Sequence, residues 1–303
     1  MGELSQVFTV QGILFALMFI GFLLRKRHVV EAGFQKGLTA LVINVVLPCN
    51  IITAFYVEFS MDTLVQSAQI FVVSLLVQLG CFLLALALYG RQSPQRRAVL
   101  QYGVICSNAG LLGNPVAQGL FGAQGLLLAS IYLIPMRTAM WSLGVAMFAA
   151  PSKEKWWVKV LRHPCIIAVE IGMVLLVTQW KLPNVVVTLV GELGDCTMAL
   201  SMVLIGILLS DFQWKDFLNP QILRFCVVRL VAIPLAVYLG CLVANIDDLP
   251  MYVAVIMAAM PAGATTAIIA SSEGGDVDFA VGCVTVSTLL SMIAIPIWCM
   301  VIG

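Results

Sequence analysis

No charged residue occurs between Asp62 and Arg91, and most side chains in that stretch are Leu, Val, Ile, Phe or Ala. An α-helix rises about 1.5 Å per residue, so a helix over 64–89 is longer than the roughly 30 Å hydrocarbon core of a bilayer. The pattern recurs along the chain. Breaking the apolar runs at charges, Pro and Gly gives ten candidate spans at 6–24, 35–57, 64–89, 98–121, 125–149, 165–181, 186–210, 220–243, 250–272 and 277–301. Only 10% of the 303 residues are charged, against about 25% in a soluble domain. Lipid is the solvent this chain requires, and the fold class expected is an all-α integral membrane protein.

Several function classes drop out on composition. The net charge is +1 and no basic patch occurs, which argues against nucleic acid as a partner. The nine cysteines lie singly within mainly apolar runs, and His28 and His163 sit beside basic connections, so neither a disulfide framework nor a metal site is expected. No Gly-rich phosphate loop with its lysine is present, which leaves ATP-driven transport without support and implies no cofactor. The first apolar run is preceded by Glu3 and followed by Arg25-Lys26-Arg27-His28, the reverse of a signal peptide's charge order.

Basic residues set the expected orientation. Arg25, Lys26, Arg27 and Lys36 flank the first connection, Arg91, Arg96 and Arg97 the third, Lys153, Lys155, Lys159 and Arg162 the fifth, and Lys215 and Arg224 the seventh. The acidic residues Glu58 and Asp62, Asp247 and Asp248, and Glu273, Asp276 and Asp278 are assigned to even connections, with Lys181 breaking the alternation. Both termini are therefore expected on the non-cytoplasmic side of a cell (inner or plasma) membrane. Residues 151–164, with Trp156-Trp157 among lysines, read as an amphipathic linker in the headgroup layer. It divides a first five-helix repeat, 1–150, from a second, 165–303.

Spans four and nine are irregular. Span four contains Gly113, Asn114 and Pro115, and proline removes an amide donor and clashes with the preceding turn, so a break is expected near Gly113–Pro115 with Asn114 as the cap of the second half. Span nine contains Pro261, Gly263, Thr265 and Thr266 at comparable depth. A shared break in corresponding helices of two odd-numbered halves points to a transporter built from inverted repeats. Half-helix N-termini carry partial positive charge and free amides, an anion cradle to which Asn108, Asn114, Thr265 and Thr266 add neutral donors.

The stretches SNAGLLGNPVAQGLFG (107–122), MPAGATTAIIASSEGGDVDFAVGCVTVSTLLSMIAIP (260–296) and LPCNII (47–52) resemble the auxin efflux carrier family in its short bacterial form. The resemblance covers essentially the whole chain in span order. It implies ten transmembrane helices in two inverted five-helix repeats, with helices four and nine broken and crossing. It also implies transport of malate, malonate or an auxin-like carboxylate. On it, Asn108 matches a substrate-contacting Asn and Pro115 the crossover proline. The plant PIN carriers differ in having a long central loop, and a proline where this chain has Thr266.

Ionisable residues inside spans cost about 3 kcal/mol at mid-membrane. Arg137, the deepest, is a candidate for a substrate carboxylate or for pairing with Glu170, which is itself a candidate proton-coupling group. Arg229 is expected to snorkel to the cytoplasmic surface. Asn44 and Asn50 flank Pro48 and either pack between helices or line the substrate cavity. The function expected is secondary transport of a small organic anion by alternating access, not enzymatic catalysis. A proton or sodium ion, the bilayer and a second copy in a homodimer are the other partners expected. The rivals are a sodium-coupled carrier of the bile-acid symporter type, a non-transporting membrane sensor, and an intramembrane protease. The last is weakened because no His lies in a span.

Overall fold

Capping side chains set where several of the apolar runs begin. The Ser60 hydroxyl accepts from Thr63 N–H at 3.0 Å, Asn219 accepts from Gln221 N–H at 3.0 Å ahead of Pro220, and Asp276 accepts from Phe279 N–H at 3.1 Å. Each satisfies a donor that a helix start leaves open. The structure, a computed structural model, describes residues 2–31, 33–56, 60–140, 147–148, 162, 164–210, 219–263, 265–272 and 275–302. The helices are α1 (Gly2–Lys26), α2 (Phe34–Phe55), α3 (Met61–Tyr89), α4 (Pro94–Ile105), α5 (Ala109–Ala139) and α6 (Pro164–Thr178). They continue with α7 (Asn184–Leu209), α8 (Pro220–Val243), α9 (Asp248–Ala258), α10 (Thr265–Ser272) and α11 (Val277–Ile302).

Among the described residues α2, α3, α5, α7, α8 and α11 are long and apolar enough to cross a membrane, and α6 and α9 are shorter apolar helices. Each predicted span has a helical counterpart. Span four is α4 plus the part of α5 over 109–121; span five begins where α5 bends at Gly122, whose φ is 65°. Span nine is α9 plus α10. The linker residues Lys153, Lys155, Trp156, Trp157 and Lys159 lie outside the described residues, as do Glu58, His163, Lys215 and Glu273.

Three π-turns explain how Pro48, Pro115 and Pro234 sit inside long helices. Val42–Val46 precedes Pro48, Ala109–Gly113 precedes Pro115, and Val228–Ala232 precedes Pro234. In each, the residue just before the proline donates its N–H five residues back: Leu47 to Val42, Asn114 to Ala109, Ile233 to Val228. The widened turn makes room for the proline ring, and the proline then falls in the first turn of the helix that follows, where a missing N–H does no harm. Pro234 leaves the Leu230 carbonyl without its usual donor, and Trp298 Nε1–H supplies one at 2.8 Å.

Small residues decide which helices meet, because lipid gives no hydrophobic drive for one apolar helix to join another. A Cβ on Gly21 would collide with the Val203 carbonyl, and one on Gly206 with the Met18 carbonyl, so α1 and α7 touch backbone to backbone. A Cβ on Gly172 would lie 2.7 Å from Phe55, joining α6 to α2, and one on Gly194 would lie 3.0 Å from Asn50, joining α7 to α2. Helices α1, α2, α6 and α7 thus form one bundle. The second contains α3, α4, α5 and α8 to α11. There Gly103 admits Phe225 of α8 and Gly113 admits Met257 of α9, each 2.8 Å from where a Cβ would stand. Leu75, Leu76, Leu79 and Leu83 of α3 are more than half exposed, the face expected to meet acyl chains.

One charge assignment is corrected. Arg96 Nε donates to Asp276 at 3.0 Å and its Nη1 to Gln221 at 3.2 Å, and Gln221 donates to Gln92 at 3.2 Å. Asp276 therefore shares one end of the molecule with the basic third and seventh connections, not with the even ones. It lies in the ninth connection, which chain parity puts on that side. The pair is only partly buried and screened by solvent, so it contributes about 1 kcal/mol at most.

Candidate substrate site at the helix crossing

The two breaks cross and pair with each other. Asn108 N–H donates to the Pro261 carbonyl at 2.8 Å, and Gly263 N–H donates to the Cys106 carbonyl at 3.0 Å, an antiparallel bridge centred on Ser107 and Ala262. Ala262 N–H donates onward to Ser287 Oγ of α11 at 3.2 Å. Backbone groups freed in a bilayer must be satisfied by protein, and these largely satisfy one another. Gly263 allows the approach: a Cβ there would stand 3.2 Å from the Ser107 carbonyl oxygen. The second break falls where Pro261 and Gly263 predict. The first does not. It lies at Cys106–Asn108, upstream of Gly113–Pro115, because Asn114 and Pro115 follow a π-turn and continue a helix already begun at Ala109.

The crossing has two kinds of helix end. The C-terminal ends of α4 and α9 converge on Arg229. Its Nη1 donates to the Val104 carbonyl at 3.1 Å and its Nε to the Met260 carbonyl at 2.9 Å, with 3% of the residue exposed. Val104 needs this donor because the N–H four residues on, that of Asn108, is committed to Pro261. The expected snorkelling of Arg229 is thus wrong. Two carbonyls at helix ends, where the dipole is negative, hold the charge inside instead.

The N-terminal ends belong to α5 and α10. Arg137, 4% exposed, reaches back along α5 so that its Nη2 would lie 3.5 Å from a Cβ on Gly110, in the first turn. Cys165 of α6 lies against the guanidinium, yet Nη1 is buried with no hydrogen-bond partner among the described residues. Among the described residues, Asn114 is fully buried with neither side-chain amide atom partnered, and Thr266 Oγ1 is likewise buried without a partner. Thr265 opens α10, and Asn108, 8% exposed, precedes α5 with no cap bond from its side chain. Each idle buried polar atom costs about 1–3 kcal/mol, so each of these side chains favours gaining a partner.

Other candidate residues sit elsewhere. Asn50 Nδ2 donates to Gln118 of α5 and to the Gly194 carbonyl of α7, both at 3.0 Å, which makes it an interhelical tie. Asn44 is exposed and bonds its own helix at Ala40, 2.7 Å away. Glu170 is exposed on α6 and forms no ion pair with Arg137. Two acidic residues that the reading of the spans passed over, Glu192 and Asp195, are exposed on α7. The inward role of Arg229 and the Ser287 contact were also missed. A signal for Arg229 existed: a deep arginine beside a proline-freed turn, in a protein with two broken helices, has carbonyls to serve.

The model of the membrane transport protein family matches the chain twice, over residues 7–155 and 151–299. An uncharacterised transporter of Methanothermobacter thermautotrophicus is 26% identical over 299 residues, 97% of this chain and 97% of that one. An uncharacterised transporter of Methanocaldococcus jannaschii is 22% identical over 296 residues, 94% of this chain and 96% of its own length. With its crossed, broken helices and a family match spanning nearly its full length, the chain belongs to the membrane transport protein family that includes the auxin efflux carriers.

Proposed function

We propose that this membrane transporter carries a small organic anion of the malate, malonate or auxin-like carboxylate class, bound at the N-terminal ends of α5 and α10. The observation that carries the reading is Arg137: a buried cation with an idle Nη1, set against the first turn of a helix. A positive side chain at a positive helix end is unfavourable by itself and becomes favourable when an anion sits between them. Asn108, Asn114, Thr265 and Thr266 supply the surrounding neutral donors.

On this reading the ten spans form two inverted five-helix repeats, and the double family match over 7–155 and 151–299 supports the repetition. An odd number of spans per half inverts the second. The α1–α2–α6–α7 bundle is the frame against which the crossing bundle moves, alternately exposing the site. The termini lie on the non-cytoplasmic side, with the Arg96–Asp276 end in the cytoplasm.

The test is a melting assay of the purified protein against malate, malonate, an indole carboxylate and an uncharged analogue of each. A ligand that binds only the native state at 100 times its Kd adds about 2.7 kcal/mol of stability. A rise with one carboxylate and none with its neutral analogue is expected; a panel in which no acid differs from its neutral analogue would sink the reading.

A further inference from the structure

Where unwound carbonyls and the C-terminal ends of half-helices converge in a membrane carrier, they make a place for a positive charge, and coupling cations are bound by such groups. In this chain that place is filled from within. Arg229 donates to the Val104 carbonyl at the end of α4 and to the Met260 carbonyl just beyond α9, at 3.1 and 2.9 Å. It forms no ion pair among the described residues, so its counter-charge is the pair of helix ends. We infer that Arg229 is a resident cation standing where a coupling sodium ion would otherwise sit, so that the crossing assembles, and the carrier works, without sodium.

The local structure is built for this. Phe225, one turn before Arg229 on α8, packs onto Gly103, which brings α8 close enough for the side chain to reach Val104. The π-turn Val228–Ala232 ahead of Pro234 contains Arg229 and rotates it relative to a regular helix. A guanidinium differs from a bound ion in two respects: its donors are directional, and it cannot leave. The charge at these helix ends is therefore constant through a transport cycle. The consequence for coupling rests on the carrier reading above; the role of Arg229 in assembling the crossing does not.

Melting the purified protein in sodium, potassium and choline chloride at equal ionic strength, with no carboxylate, tests the inference directly. The expected melting temperatures are the same in all three, and a sodium-specific rise overturns it. Arg229→Ala is then melted with methylguanidinium or with the neutral N-methylurea. The variant is expected to melt lower than the parent, with methylguanidinium recovering part of the loss and N-methylurea none; equal effects of the two overturn the inference. Should Arg229→Ala fail to fold, Arg229→Lys and Arg229→Met replace it. Lysine, keeping the charge, is expected to lose less stability than methionine, and equal losses overturn the inference. None of these readouts needs a carboxylate, so failure of the anion reading shows separately as a flat carboxylate panel.

Discussion

Arg137 and Arg229 are both buried, both in membrane-crossing helices and both within reach of the same crossing, yet they are used differently. Insertion of each costs about 3 kcal/mol on translocon scales. Arg229 recovers this through two short bonds to carbonyls at helix C-termini. Arg137 faces a helix N-terminal turn, has Cys165 beside it, and leaves Nη1 idle. One arginine completes the fold. The other keeps a buried donor open, which on the proposed reading a carboxylate takes.

That contrast can be broken by substitution. The largest effect on stability is expected at Arg229, where Arg229→Met strands two buried carbonyls at about 1–3 kcal/mol each and lowers the melting temperature. A melting temperature equal to the parent's would erase the distinction. Arg137→Met is expected to melt no lower than the parent and to weaken carboxylate binding about 10- to 150-fold, the worth of a charged hydrogen bond of about 1.5–3 kcal/mol. Binding by calorimetry with the best carboxylate of the panel decides it. Asn108→Ala sharpens the comparison within the site, with affinity falling about fivefold for about 1 kcal/mol and no unfolding, since the bond to Pro261 uses the backbone. Unchanged affinity removes Asn108 from the site. Asn50→Ala is expected to cost about 0.6 kcal/mol of stability, the average for a hydrogen bond inside a membrane protein, with affinity preserved. The smallest effect is expected at the exposed Glu170: Glu170→Gln leaves binding unchanged, and a shifted pH dependence of uptake would assign it the coupling role.

The positions of the helices were legible because charges, caps and prolines mark their ends: Ser60, Asn219 and Asp276 all sit at starts. The break in span nine was legible for the same reason, in Pro261 and Gly263. The break in span four was not. Cys106, Ser107 and Asn108 contain no helix breaker, and nothing in their own propensity ends a helix there. They are held out of the helix by pairing with 261–263, a partner more than 150 residues away along the chain. Pro115 looked like the breaker but acts as a starter, one residue into the helix that follows its π-turn. The candidate site shows the same division. Arg137 and Asn114 were recognisable as polar residues at depth, whereas the carbonyls that claim Arg229 come from α4 and the α9 end, which only the folded chain brings together.

The tie at Asn50 has a consequence for motion. Its amide holds Gln118 on the crossing bundle with one contact and Gly194 on the frame with the other. Gln118 lies one turn beyond Asn114 on the same face of α5, and that neighbour also carries an amide, idle and buried. On the carrier reading, the crossing bundle can move along the frame only by breaking the Asn50–Gln118 bond, whereas the Asn50–Gly194 bond stays within the frame.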